Sequence, residues 1–180
     1  LPIVMKGVQK PWPINFNEQK GSAQSKTSVM FAALKSEGTT KIKAKKSRDH
    51  TEILLKHLKI PINIKKTKNF DYISIRGVKK INSLKYRIPG DISSSAFFIV
   101  LTILSKKSKI LIKNVNINPS RIGILYVLKL MGIKIKKINL REYKGEKIAD
   151  LIVKSAKKIK SINCPSKLNT SAIDEFLLIF

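Results

Sequence analysis

Two stretches of this chain, 73 residues apart, read almost alike, and that self-similarity restricts the fold more than any other feature. Residues 47–66 are SRDHTEILLKHLKIPINIKK and residues 120–137 are SRIGILYVLKLMGIKIKK. Each opens on Ser-Arg, runs through apolar residues at helical spacing, and passes directly into an alternating Ile/Lys segment. Upstream of each copy lies another helical pattern and then a strand pattern. The unit is therefore helix, strand, helix, strands. Its period is too long for a solenoid, where repeats run to about 20–50 residues. It fits a supersecondary unit duplicated within an α/β protein.

Apolar periodicity and turn residues place the elements. Residues 3–8 read as a strand, broken by Pro11 and Pro13. Residues 23–36 read as a helix with Val29, Met30, Ala33 and Leu34 on one stripe, stopped by Gly38. A strand over 39–44, a helix over 49–58 with Ile53, Leu54 and Leu58 inward, and strands over 60–65 and 72–76 complete the first half. A short extended piece over 84–88 runs into Pro89-Gly90-Asp91, the expected boundary between residues 1–88 and 89–180. The second half reads as a helix over 92–104, a strand over 109–113, a helix over 119–131 ended by Gly132, and strands over 133–140 and 148–153.

Composition narrows the function classes. The chain has 180 residues, 43% of them hydrophobic, so it is not a disordered polar tail. A chain of this length buries about 70% of its unfolded surface. The single cysteine, Cys164, excludes a disulfide framework and a Cys-based zinc cluster. His50 and His57 lie about two helical turns apart, outside the i, i+4 spacing of a helical metal clasp. The longest nearly unbroken apolar run, residues 96–104, is far short of the ~20 residues that span a bilayer. The opening LPIVMKGVQKPW lacks a basic region followed by an apolar one, so no signal peptide is expected. These features describe a cytoplasmic chain without a membrane partner.

The formal charge of +26 invites a nucleic-acid reading, since phosphate neutralisation dominates such binding. Only Arg48, Arg76, Arg87, Arg121 and Arg141 are Arg, however, among 37 basic residues. Arg is the residue that forks onto phosphate and guanine. The Lys are dispersed along the chain, and 28 Ile accompany them, a pattern of AT-rich coding bias. Nucleic acid is therefore not the expected partner. A positive surface that steers small anions is.

Five short motifs are placed where chemistry is feasible. Gly21-Ser22-Ala23-Gln24-Ser25-Lys26 precedes a helix, whose free N–H groups suit a phosphate; Ser22 also fits an ordinary N-cap. In Ser47-Arg48-Asp49-His50-Thr51-Glu52, Arg48 fits either a phosphate fork or a surface ion pair with Asp49 or Glu52, and Ser47 or Asp49 fits the cap. Gly90-Asp91-Ile92-Ser93-Ser94-Ser95 repeats the small-polar helix start, with Asp91 as cap. Asn118-Pro119-Ser120-Arg121-Ile122-Gly123 reads as structural, with Pro in a first helical turn. Ile173-Asp174-Glu175 offers a carboxylate of the kind that general-base work needs beside a hydroxyl.

Taken in order, LPIVMKG, SAQSKTSVMFAAL, EGTT, SRDHTE, RIPGDISSSAFF, NVNINPSRIGIL, LKLMG, RE, GE, ADL and IDEF resemble the 5-enolpyruvylshikimate-3-phosphate synthase family. The match runs over almost the whole chain. SAQ and SRDHTE are similar to the second class of these enzymes. The resemblance implies a two-lobed α/β fold, an inside-out α/β barrel of repeated βαβαββ units. It implies transfer of the enolpyruvyl group from phosphoenolpyruvate to the 5-hydroxyl of shikimate 3-phosphate, with release of phosphate. It implies no metal or organic cofactor, and a monomer at full length. By resemblance Ser22, Ala23 and Gln24 bind shikimate 3-phosphate, Gln24 also faces phosphoenolpyruvate, Arg48 holds the shikimate phosphate, and Asp174 is the acid–base residue. Residues 1–88 then belong to the shikimate-phosphate lobe and 89–180 to the other. The family's early Lys-Ser and Arg phosphate binders, its Asn-Ala-Gly-Thr-type loop and its later Glu and Arg residues have no counterpart here, which implies an internal fragment without turnover of its own. The related enolpyruvyl transferase acting on a UDP-sugar shares the fold, but SAQ, SRDHTE and NPSRIG favour the shikimate enzyme, and Cys164 stands in the wrong segment for its reactive thiol. A basic nucleic-acid-binding module and a decayed, inactive relative are the remaining alternatives.

Overall fold

The computed structural model describes residues 2–4 and 6–179, which form two compact units divided between Lys85 and Tyr86. In the first, the order is β1 (Asn15–Glu18), α1 (Ala23–Ala33), β2 (Thr39–Lys45), α2 (His50–His57), β3 (Ile62–Lys66) and β4 (Phe70–Arg76). The sheet order is β1-β2-β4-β3. β1 and β2 are parallel, a pairing that needs a crossover, and α1 supplies it. β4 runs antiparallel between β2 and β3. Strand alternation decides which face is covered: Thr40, Ile42 and Ala44 of β2 and Asp71, Ile73 and Ile75 of β4 point inward, while Lys41, Lys43 and Lys45 face water. Met30 and Ala33 of α1 and Leu55 of α2 close over Ile42, Ala44, Ile73 and Ile75.

The second unit repeats this plan. Gly90 forms a parallel bridge to Val115, donating to the Asn114 carbonyl and accepting from Asn116 N–H, both at 2.8 Å. It stands beside β5 as β1 stands beside β2. Then come α3 (Ile92–Leu104), β5 (Lys109–Asn116), α4 (Gly123–Leu130), β6 (Lys136–Tyr143) and β7 (Glu146–Lys154), with sheet order β5-β7-β6, all antiparallel. Ile92, Ala96, Ile99 and Ile103 of α3 pack with Ile124, Leu125 and Leu128 of α4 against Val115, Ala149, Leu151 and Val153. The register shifts once in each strand pair, at left-handed Asn114 and Asn139 (φ 56° and 50°). Asp150 of β7 pins both bulges, accepting from Asn114 N at 2.7 Å and Asn139 Nδ2 at 2.9 Å. Those bonds hold its carboxyl below the usual range. A 3-10 turn (Ser166–Leu168), α5 (Asn169–Ala172), a second 3-10 turn (Ile173–Glu175) and α6 (Phe176–Ile179) follow.

Three sequence expectations are corrected. Residues 3, 4 and 6–8 form no strand and Ile3 is 82% exposed; Met5 lies outside the described residues. A strand needs a ladder partner, and the one beside β2 is taken by Asn15–Glu18. On α2 the inward residues are Glu52 and Leu55, not Ile53 and Leu54, because a buried ion pair sets the helix rotation. Residues 119–122 carry no helix; α4 begins at Gly123.

Candidate active site

Parallel strands leave the sheet at the same edge, so α1 and α2 begin side by side beyond the ends of β1 and β2. Ser22 caps α1, its Oγ accepting from Ser25 N at 3.2 Å. The turn into it is built by Glu18, 3% exposed, whose carboxylate accepts from Lys20 N and Gly21 N, both at 2.8 Å. Gly21 takes φ 76°, where a side chain would be strained. Burial works to raise the Glu18 carboxyl, but the N–H groups of Ser22, Gly21, Lys20 and Lys45 outweigh it and hold it below its ordinary 4.5. A group with a lowered folded pKa stabilises fully above its ordinary value and loses that contribution as pH falls through the lower one. Urea midpoints of the wild type should therefore drop more steeply below pH 4.5 than those of Glu18→Gln. Parallel curves would count against this role.

Arg48 leads into α2 and is half-buried. Its carbonyl accepts from Lys26 Nζ at 3.1 Å, so the fully buried Lys26 of α1 ties the start of α2 to the start of α1. The same Nζ lies 2.5 Å from Glu52 Oε1 of α2. A third tie joins Thr27 Oγ1 and Thr51 Oγ1 at 2.7 Å. Asp49 stands at the cap position of α2 without a side-chain capping bond and instead receives Lys66 Nζ at 2.7 Å. The structure thus brings Ser22, Ala23, Gln24 and Arg48 to one edge of the first unit, with Gln24 exposed. An exposed Gln, two helix N-termini and an arginine are groups whose chemistry suits an anion.

In the second unit Asp91 caps α3, its Oδ2 accepting from Ser94 N at 2.8 Å. Burial works to raise the Asp91 carboxyl, but the Ser94 and Ser93 bonds and the Arg121 cation hold it below its ordinary value. Asp174 sits in the second 3-10 turn with its side chain 44% exposed. Arg121, two residues before α4, donates from Nη1 to Asp174 Oδ2 at 2.8 Å and from Nη2 to Ser93 Oγ at 2.9 Å. Ser93 Oγ in turn donates to Glu175, which is buried. Burial pushes the Glu175 carboxyl up, against the Ser93 bond and the Arg121 charge.

Residues 1–177 match the family model of EPSP synthase (3-phosphoshikimate 1-carboxyvinyltransferase). The chain belongs to the EPSP synthase family. It is 40% identical to the 3-phosphoshikimate 1-carboxyvinyltransferase of Petrotoga mobilis, covering 99% of this chain and 40% of that protein. Against the Legionella pneumophila (strain Corby) protein of the same name it is 41% identical, with the same coverage. An EPSP synthase structure from Acinetobacter baumannii superposes with a TM-score of 0.81 at 34% identity, covering 96% of this chain and 38% of that one. The chain therefore spans about 40% of the length of the curated relatives it matches. The α/β fold of the family, expected from the motifs, is the fold found. Among the described residues, no helix is long and apolar enough to cross a membrane.

Three further residues of this family member shape these edges without a clear signal in the sequence. Glu18 builds the turn before Ser22, yet NFNE carries no signal for a buried carboxylate. Lys26 was one Lys among many. The motif around Arg121 reads as structural, although its Ser-Arg signature repeats that of Arg48 and Arg is scarce in this chain.

Proposed function

We propose that the complete protein transfers the enolpyruvyl group of phosphoenolpyruvate to the 5-hydroxyl of shikimate 3-phosphate and releases phosphate, in the route to chorismate and aromatic amino acids. The family match over residues 1–177 carries this reading, and its relatives bear that enzyme's name. In it, residues 1–88 are part of the shikimate-phosphate lobe and 89–180 part of the second lobe. Ser22, Ala23 and Gln24 at the α1 N-terminus, with Arg48 at the entry to α2, hold shikimate 3-phosphate. The half-exposed Asp174 takes the hydroxyl proton. Two phosphorylated substrates call for more cationic donors than this edge supplies, so turnover belongs to the complete gene product, as a cytoplasmic monomer without an organic cofactor or metal.

The test is steady-state phosphate release by the complete gene product with both substrates varied. Arg48→Ala should raise the KM for shikimate 3-phosphate by about 10–100-fold, the loss expected from a charge-assisted bond of about 1.5–3 kcal/mol. The KM for phosphoenolpyruvate should change far less. Equal effects on both would refute a direct contact with the shikimate phosphate, and no phosphate release by the wild type would refute the activity.

A further inference from the structure

Arg48 and Arg121 hold equivalent places in the two repeats, each following a serine at the entry to the unit's second helix. At Arg121 the anions at hand are the unit's own. Its side chain is 18% exposed, and its planar head meets three residues on two elements: Asp174 Oδ2 at 2.8 Å in the 3-10 turn, and Ser93 Oγ at 2.9 Å and Asp91 Oδ1 at 3.5 Å at the start of α3. Ser93 continues the chain of bonds to the buried Glu175, the residue after Asp174. Asp174 itself stands on a three-residue 3-10 turn, an element too short to hold a side chain in place by its own bonds. The approach of that segment is close: a Cβ on Gly123, the first residue of α4, would meet Ser171 atoms at 2.5 Å.

We infer that Arg121 is a positioning residue for the transfer reaction, a guanidinium fork that fixes the Asp174 carboxylate by anchoring it, through Ser93, to the start of α3. The inference rests on reading Asp174 as the acid–base residue. A fork is required because one planar cation must serve oxygens on two different elements at once. The compact ammonium of Lys meets one of them well, not both. A displacement of about 1 Å at a reacting group costs on the order of 100-fold in rate.

Arg121→Met and Arg121→Lys in the complete gene product provide the test, with kcat and both KM values measured. Met should lower kcat by about 10–100-fold and leave each KM within about threefold, because substrate contacts persist while the base is misplaced. Lys should recover part of the loss. Should Met prevent folding, Ser93→Ala removes one anchor of the fork and should still lower kcat by about 3–10-fold at unchanged KM. An unchanged kcat in the folded variants overturns the inference. So does a loss shared equally by kcat and KM, with Lys no better than Met. Wild-type protein that fails to turn over the two substrates refutes the activity itself, an outcome distinct from either.

Discussion

Lys26→Met should cost the first unit about 3–5 kcal/mol, the range seen when one partner of a buried ion pair is removed. Lys26 is fully buried and Glu52 is 2% exposed, so the deletion leaves a carboxylate with neither counter-ion nor water. The geometry makes this worse than usual. Lys26 Nζ directs a hydrogen at the Arg48 carbonyl, and neither Glu52 oxygen receives a hydrogen bond, so proximity to the Lys charge is what offsets burial of the carboxylate. Domains hold only about 5–15 kcal/mol in total, so a loss of this size removes a large share of the unit's stability. Lys26→Met/Glu52→Leu should regain most of it, because well-packed apolar replacements of a buried pair are close to neutral. Urea denaturation of the two variants measures the difference through the midpoint at constant slope. A single variant losing less than about 1 kcal/mol, or a double variant no better than the single, would show that the pair does not hold α1 and α2 together.

That pair also marks the limit of what the sequence discloses. Period and polarity were enough for the repeat, for α3 from Ile92 to Leu104, and for the caps at Ser22 and Asp91, because each depends on residues within one turn of one another. The inward face of α2 is hidden in the sequence because a charged residue, Glu52, occupies a position that hydrophobic periodicity assigns to Ile, Leu or Val. β1 is hidden for a related reason. NFNE has one apolar residue flanked by Asn, and it is a strand only because β2 offers it a parallel edge. Residues 3–8 have the better pattern, yet residues 3, 4 and 6–8 join no ladder. The contact between Arg121 and Asp174 spans 53 positions and joins elements whose proximity is a product of packing. What the sequence did carry was a scarce Arg in the same register of both repeats, a signal that becomes informative once the two units are seen to share one plan.

Asp174→Asn should lower kcat of the complete gene product by about 100–10,000-fold, the span associated with losing a positioned general acid or base. The amide keeps the shape of the side chain and retains an oxygen that Arg121 can still reach, so the turn formed by Ile173–Glu175 should persist. What the amide lacks is a basic oxygen to accept the proton of the 5-hydroxyl. Binding of shikimate 3-phosphate should be nearly untouched, because on this reading its phosphate is held in the first unit by Ser22, Gln24 and Arg48, not by Asp174. Equilibrium binding of shikimate 3-phosphate and single-turnover phosphate release separate the two effects. A variant that binds the substrate as the wild type does and releases phosphate hundreds of times more slowly has lost its base. Asp174→Glu sharpens the test, since it restores a carboxylate one methylene out of position: partial recovery above Asn places the requirement on the charge, and failure to recover places it on geometry, where the Arg121 fork acts. Retained turnover in Asp174→Asn would end the base assignment, and the positioning role of Arg121 with it.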